Sequence, residues 1–202
     1  MEKTQMKLRI AAMATSKLLR RLSMLSLNLG CGTNHMTHEG VVNIDCEECV
    51  KPDLLFNFTS GNRLPWADHT VDEIYIFHTI EHINKRKHAG LFFEINRLLK
   101  DDGLLLMSYP EFEKICRCWL SNFQGRRAFW EATIYGRQLY PSDAHVCAMS
   151  SEYYVRDILE KCGFYAIKFE PERAEVYNTI CRAQRTEPQI SYEQVLYNEV
   201  CA

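Results

Sequence analysis

The chain has 202 residues, 47% of them hydrophobic and 25% charged, with a formal net charge of -2. That length allows one domain with a substantial core and is tight for two, and the composition excludes a disordered chain. The balanced charge excludes a global field that attracts polyanions, so nucleic acid is not a default partner.

Residues 1–23 are locally basic, with Lys3, Lys7, Arg9, Lys17, Arg20 and Arg21, and charges interrupt their apolar positions, so no signal-peptide core forms. An N-terminal helical segment packed on the domain is expected there, with a membrane or targeting role as the other reading. No apolar run approaches the roughly 20 residues of a membrane span. Nine cysteines, an odd number, fit reduced thiols in a cytoplasm better than a disulfide framework.

A main domain over 24–185 follows. Met24 to Leu29 is short, apolar and ends in a glycine turn, which reads as a buried strand. Val41 to Ile44, closed by Asp45, is the second; Asp53 to Phe58 is a weaker third; Val71 to Phe77 alternates as a fourth. Leu104 to Ser108, after a turn at "KDDG", is the fifth, and Tyr165 to Phe169 and Val176 to Cys181 are the last two.

Helical patterns lie between them. "HAGLFFEINRLLK" carries apolar residues at helical spacing, with Lys100 near its end and Gly103 just beyond. "SSEYYVRDILEKCGF" opens on Ser150 or Ser151 as a cap and stops at Gly163. About seven strands alternating with helices predict an α/β fold, a mostly parallel sheet with helices on both faces. The aromatic-rich segment from Glu111 to Met149, with Trp119, Trp130, Tyr135, Tyr140, Arg126, Arg127 and Arg137, reads as an insertion over the ligand edge of the sheet. Residues 186–202 read as a polar tail.

Ligands of open α/β sheets bind beyond the carboxyl ends of the strands. Gly30 and Gly32 follow the first strand, where missing Cβ atoms let the backbone approach a ligand. Asp45 closes the second strand, where a carboxylate accepts both ribose hydroxyls; Asn57 closes the third, where its carbonyl accepts from an adenine amine; His78 closes the fourth. Each position alone reads equally well as a turn former or cap, and it is their order that points to an adenosine cofactor. Asn34 stands where a third glycine would support a pyrophosphate at a helix N-terminus, so a cofactor without phosphate fits better.

The segments "LNLGCGT", "VVNID", "NFTSGNRLPWADHTVDEIYIFHTIEHI", "INRLLKDDGLLLMSYPEF" and "IYGRQ…DAHV…LEKCGF", in that order, resemble a class I S-adenosylmethionine-dependent methyltransferase. The resemblance extends over residues 24–182 and is closest to small methyltransferases of the type-11-like group, often found beside cell-surface glycan genes in bacteria and in phages. It implies a single Rossmann-like domain with S-adenosyl-L-methionine as cofactor. It implies that the loop from Gly30 through Cys31 to Gly32 passes beneath the methionine part and that Asp45 holds the ribose. It further implies that Asn57 with the backbone of Phe58 reads the adenine and that His78 sits near the sulfonium. Cys31 and Cys46 are expected to pack next to the cofactor as small apolar groups. Many relatives carry Asp where this chain has Asn57, which still accepts but adds no charge, so weaker binding is expected.

Methyl transfer mainly needs alignment of donor and acceptor, and a base only when a hydroxyl must lose its proton. His78 and His82 of "HTIEH" and His145 of "DAHV" are candidate bases, with Glu81 a fourth option. His145 is preferred because it belongs to the insertion expected over the acceptor, while His82 also reads as a structural histidine. Tyr109, Pro110 and Glu111 read either as an acceptor-orienting wall or as a strand-end turn. Arg126, Arg127 and Arg137 either bind a phosphorylated or nucleotide-activated sugar or form a solvated face. No metal is expected: "HTIEH" lacks the Glu beside its first His that a zinc hydrolase helix needs, and Cys46/Cys49 with Cys116/Cys118 do not repeat one ribbon spacing. The function expected is methylation of a small hydroxylated acceptor, such as a glycan or nucleotide-sugar unit. A nucleobase or protein methyltransferase and a silent cofactor-binding protein are the rivals.

Overall fold

The computed structural model describes residues 24–58, 60–138, 141–147, 152–172, 177–191 and 193–194. The strands are β1 (Ser26–Leu29), β2 (Val41–Asp45), β3 (Leu54–Leu55), β4 (Val71–Phe77), β5 (Leu99–Pro110), β6 (Phe164–Pro171) and β7 (Asn178–Arg185). The helices are α1 (His88–Leu98), α2 (Phe112–Leu120), α3 (Arg127–Tyr135) and α4 (Glu152–Lys161). The strands form one seven-stranded sheet in the order β3-β2-β1-β4-β5-β7-β6, the mixed α/β architecture expected. Pairing is parallel from β3 to β5, and β7 runs antiparallel to both β5 and β6. No helix among the described residues is long and apolar enough to cross a membrane. The expected N-terminal helix over 1–23, the cap at Ser150 or Ser151, Tyr140 and Val176 lie outside the described residues.

Register lines up the apolar side chains of one face. Leu27 stands beside Ile74, Ile74 beside Leu105, and Leu105 beside Ala183; one step along, Ile76, Met107 and Cys181 repeat the row. Leu91, Phe92, Ile95 and Leu98 of α1 and Val155, Ile158 and Leu159 of α4 close over these rows in the same core cluster. Each such side chain, fully buried, contributes about 1.5–3 kcal/mol.

Three boundaries differ from those expected. α1 ends at Leu98 rather than at Lys100, because Leu99 pairs with Val71 and enters β5 in extended conformation. The "KDDG" turn is therefore a bulge inside a long strand: pairing passes from Val71–Leu99 to Glu73–Leu104, and Asp102 takes the slack with a φ of 58°. β3 is reduced to Leu54–Leu55, so Asn57 stands just beyond it, and β7 runs from Asn178 to Arg185, later than its apolar signal suggested.

Between β1 and β2 the chain returns through residues 30–40 without a helix. A polar network on the opposite sheet face holds this return. The buried Asn43 amide accepts from Asn28 Nδ2 at 3.0 Å and from the Met36 N–H at 2.9 Å, and donates to the Met36 carbonyl at 3.0 Å and to Asp53 at 2.8 Å. Asp53 also accepts the Asn43 backbone N–H, and these bonds hold its carboxyl below the usual carboxylate range. Replacing Asn43 by Ala strips four partners at once. It is expected to lower stability by about 2–4 kcal/mol in urea denaturation, and a loss under about 1 kcal/mol contradicts this account.

His88, at the start of α1, is fully buried. Its Nε2 faces the carbonyls of Ile80 and Ile83 at 3.2 and 3.0 Å, so that nitrogen carries the hydrogen and Nδ1 accepts from the Tyr154 hydroxyl at 3.0 Å. Burial pushes the imidazole below the usual histidine range. A depressed folded pKa means that the neutral ring stabilises fully above the unfolded value of about 6.5, and that this stability is lost as pH falls below it. Stability measured between about pH 7.5 and 5 should therefore decline, by at most ~1.4 kcal/mol per pH unit for this one proton. The decline should be smaller in His88→Gln; an unchanged pH slope in that variant sinks the assignment.

Candidate functional site

The loop after β1 is built against the residue that follows His78. Gly30 has a φ of +68°, and a Cβ on it would lie 2.2 Å from Cγ2 of Thr79, so no other residue fits without movement. The Thr79 hydroxyl sits among the carbonyls of Leu29, Gly30 and Phe77 at 3.2, 3.2 and 3.0 Å, tying the carboxyl ends of β1 and β4 together. The N–H groups of Gly30 and Cys31 donate to the Ile44 carbonyl at 2.8 and 3.1 Å. Cys31 is buried, and burial pushes its thiol up to about 12, leaving a neutral packing group.

Asp45, at the end of β2, accepts the Gly32 N–H at 2.8 Å on one oxygen and the Glu47 N–H at 3.0 Å on the other. Each oxygen keeps a further lone pair, which suits a diol donor. Around the Cβ position of Gly32 there is open space. The residues present therefore fit an adenosine sulfonium: a shallow glycine loop, a carboxylate at its mouth, and no helix N-terminus behind it for a pyrophosphate. Asn34 closes the turn after this loop, its N–H donating to the Cys31 carbonyl at 2.9 Å and its carbonyl accepting from Asn28 at 3.3 Å. Beyond β3, the Asn57 carbonyl accepts from the N–H and hydroxyl of Ser60 at 3.1 and 2.7 Å, fixing the turn that carries Phe58. The Cys46 thiol lies within reach of Ser142, so the insertion closes down on this edge of the sheet.

The histidines gather around one carboxylate. His78 has a φ of 50° and its Nε2 accepts from Asn178 Nδ2 at 3.1 Å, which leaves Nδ1–H facing Glu81 Oε1 at 3.5 Å. Glu81 is 1% exposed, and neither of its carboxylate oxygens has a hydrogen-bond partner. Its backbone carbonyl accepts the N–H groups of Val146 and Cys147 at 2.9 and 3.2 Å, which fastens the insertion to this turn. The rings of His82 and His145 meet edge to face with centroids 4.7 Å apart. His145 is held by its N–H on the Tyr135 carbonyl at 3.1 Å, and its approach requires Gly136, where a Cβ would lie 2.2 Å from the Asp143 carbonyl. Burial keeps its imidazole below the ordinary histidine range. A small cavity lined by Pro110, Phe112, Ile115, Thr133, Ile134, His145 and Cys147 opens beside this cluster.

Other expected residues take different places. Tyr109 is fully buried on the core face, so of the Tyr109–Glu111 wall only Pro110 lines the cavity. Glu111 is taken by Lys114 and Thr179. Arg126 lies 3.9 Å above the Phe129 ring and Arg127 5.3 Å from the Trp119 ring, stacking within the insertion, while Trp130 is buried against Phe123, Phe129 and Tyr177. Arg137 is exposed. His88, absent from the sequence reading, holds the carbonyls of Ile80 and Ile83 and so sets the turn bearing Glu81 and His82. No local motif announces it.

Residues 27–107 match the profile of a family described as a methyltransferase domain. Among curated proteins none matches the chain in sequence. Solved structures share its fold. A SAM-dependent methyltransferase from Archaeoglobus fulgidus is 14% identical, with 88% of this chain and 94% of that one covered and a TM-score of 0.56. A possible exported protein from Bordetella parapertussis is 16% identical, with 86% and 65% covered and a TM-score of 0.56. Phosphoethanolamine N-methyltransferase 2 from Haemonchus contortus, in complex with S-adenosyl-L-methionine, is 12% identical, with 84% and 50% covered and a TM-score of 0.51. This chain thus spans about two thirds and half of the latter two. Residues 27–107 are thus similar in sequence to a methyltransferase domain, and most of the chain shares the fold of these solved structures.

Proposed function

We propose that the protein transfers a methyl group from S-adenosylmethionine to the hydroxyl of a small acceptor, a glycan or nucleotide-sugar unit being the leading candidate. The observation that carries this reading is the continuity from the glycine loop through Thr79 to the Glu81, His82 and His145 cluster, with a small cavity beside His145. When bound, the cofactor supplies a methyl carbon already activated by positive sulfur. The protein's part is then to position and to exclude water, worth up to ~7–11 kcal/mol in a well-aligned pair.

In this reading Asp45 takes the ribose hydroxyls, and Asn57 with the Phe58 backbone takes the adenine edge. The Gly30–Gly32 loop, with Cys31 and Cys46 flanking it, supports the methionine part, and His78 borders the sulfonium. A hydroxyl must lose its proton early in the transfer, and His145 on the cavity wall is a group that can take it. His145 lines that cavity and is the preferred base, with His82 and Glu81 close to it.

Calorimetric titration should show binding of S-adenosylmethionine or its demethylated product below millimolar concentration, and absence of both overturns the reading. Asp45→Ala should weaken that binding by roughly 3 kcal/mol, the worth of two charge-assisted hydrogen bonds. Incubation with methyl-labelled cofactor and fractionated extract then identifies the acceptor; cofactor binding with label transferred to nothing favours a silent binding protein instead. His145→Ala should cut the transfer rate far more than cofactor affinity, and an equal loss of both, or none, removes His145 from the acceptor side.

A further inference from the structure

We infer that Glu81, His82 and His145 form a binding site for one divalent first-row transition-metal ion. Their ligand atoms lie within 4.8 Å of one another, two imidazoles and one carboxylate drawn from the turn after β4 and from the loop after α3. Donors sharing one zinc at about 2.0–2.2 Å stand roughly 3.2–3.6 Å apart in a tetrahedron, so the set has at most about 1–2 Å to close. Two imidazoles with a carboxylate select a borderline ion such as zinc over magnesium or calcium, which take all-oxygen shells.

Two further features point the same way. Glu81 is buried to 1% exposure and makes no hydrogen bond through either oxygen, with only the long 3.5 Å approach of His78 Nδ1 at Oε1, so a cation facing it would relieve a costly burial. Both histidines also have the outer support that metal ligands require. His82 Nδ1 faces the Ala144 carbonyl at 3.2 Å, and the His145 ring lies in reach of the Ile134 carbonyl. A ring nitrogen facing a carbonyl must carry the hydrogen, so the other nitrogen of each ring presents a lone pair. The two halves are joined before any ion arrives, by the Val146 and Cys147 N–H groups on the Glu81 carbonyl. His78, whose Nδ1–H is 3.5 Å from Glu81, faces the carboxylate as a proton donor rather than as a fourth ligand.

Binding of the ion rests on these three side chains alone. Its use, as a Lewis acid beside the acceptor cavity, rests on the methyl-transfer reading above. To test the site, the full-length protein is stripped with a chelator, titrated with Zn2+ without cofactor, desalted and assayed for metal by mass spectrometry. The wild type should retain one equivalent. Glu81→Gln, which keeps the side-chain shape, and His145→Gln should weaken retention by more than about tenfold while circular dichroism shows them folded. A variant with Cys46, Cys49, Cys116 and Cys118 all changed to Ser should retain zinc as the wild type does. Failure of the wild type to hold zinc, undiminished retention in Glu81→Gln and His145→Gln, or loss in the serine variant overturns the site. Cofactor affinity is measured in parallel on the stripped protein: cofactor binding without zinc uptake rejects the metal site alone, whereas zinc uptake without cofactor binding rejects the methyltransferase reading alone.

Discussion

The close approach of Gly30 to Thr79 is the contact on which the rest of the site depends. The sheet order reverses between β1 and β4, and a crevice opens wherever two such strands diverge. Here the divergence is bridged at its base by one hydroxyl among three carbonyls, a contact that only a residue without a side chain at position 30 permits. Because Thr79 is followed at once by the turn bearing Glu81 and His82, fixing the glycine loop also fixes the histidine cluster. The glycine loop and the histidine cluster are thereby two ends of one junction.

A second constraint follows from what β1 and β2 lack. In most parallel pairs a helix covers the return between strands, yet here residues 30–40 are stapled by side-chain amides. Asn28, Asn43 and Asp53 supply the donors and acceptors that a helix backbone would have satisfied internally, and in a buried setting such a network is either complete or costly. The turn at Asn34 that closes the loop depends on that network.

Much of this was legible in the sequence, and the failures have physical causes. Apolar runs located β1, β2 and β4 because their side chains face a core over the whole run. β3 is a short edge strand with little to bury, and its pattern overstated its length. The end of α1 was misplaced because helix signals at Lys100 and Gly103 were overridden by the pairing of Leu99 with Val71, a tertiary effect that no local rule carries. In the site, Gly30, Gly32 and Asp45 stood out because spacing around a strand end is local information. The meeting of His82 with His145 is not local, and neither the lack of a hydrogen bond on the Glu81 carboxylate nor the role of His88 can be read from spacing. The spacing of "HTIEH" does not make a single-helix ligand pair, whereas its Glu81 and His82 meet His145 from a loop far along the chain.

The cavity walls carry an evolutionary consequence. Phe112, Ile115, Thr133 and Ile134 come from α2 and α3, outside the stretch that the family profile matches, whereas the loop, the carboxylate and the turn after β4 lie within it. Divergence in the inserted helices can reshape the cavity without disturbing the glycine loop or Asp45, since the insertion is fastened to the turn after β4 by main-chain bonds at Glu81. Change in the cavity walls therefore has a region of its own in which to act, and a descendant with altered walls would still be recognisable by its first five strands.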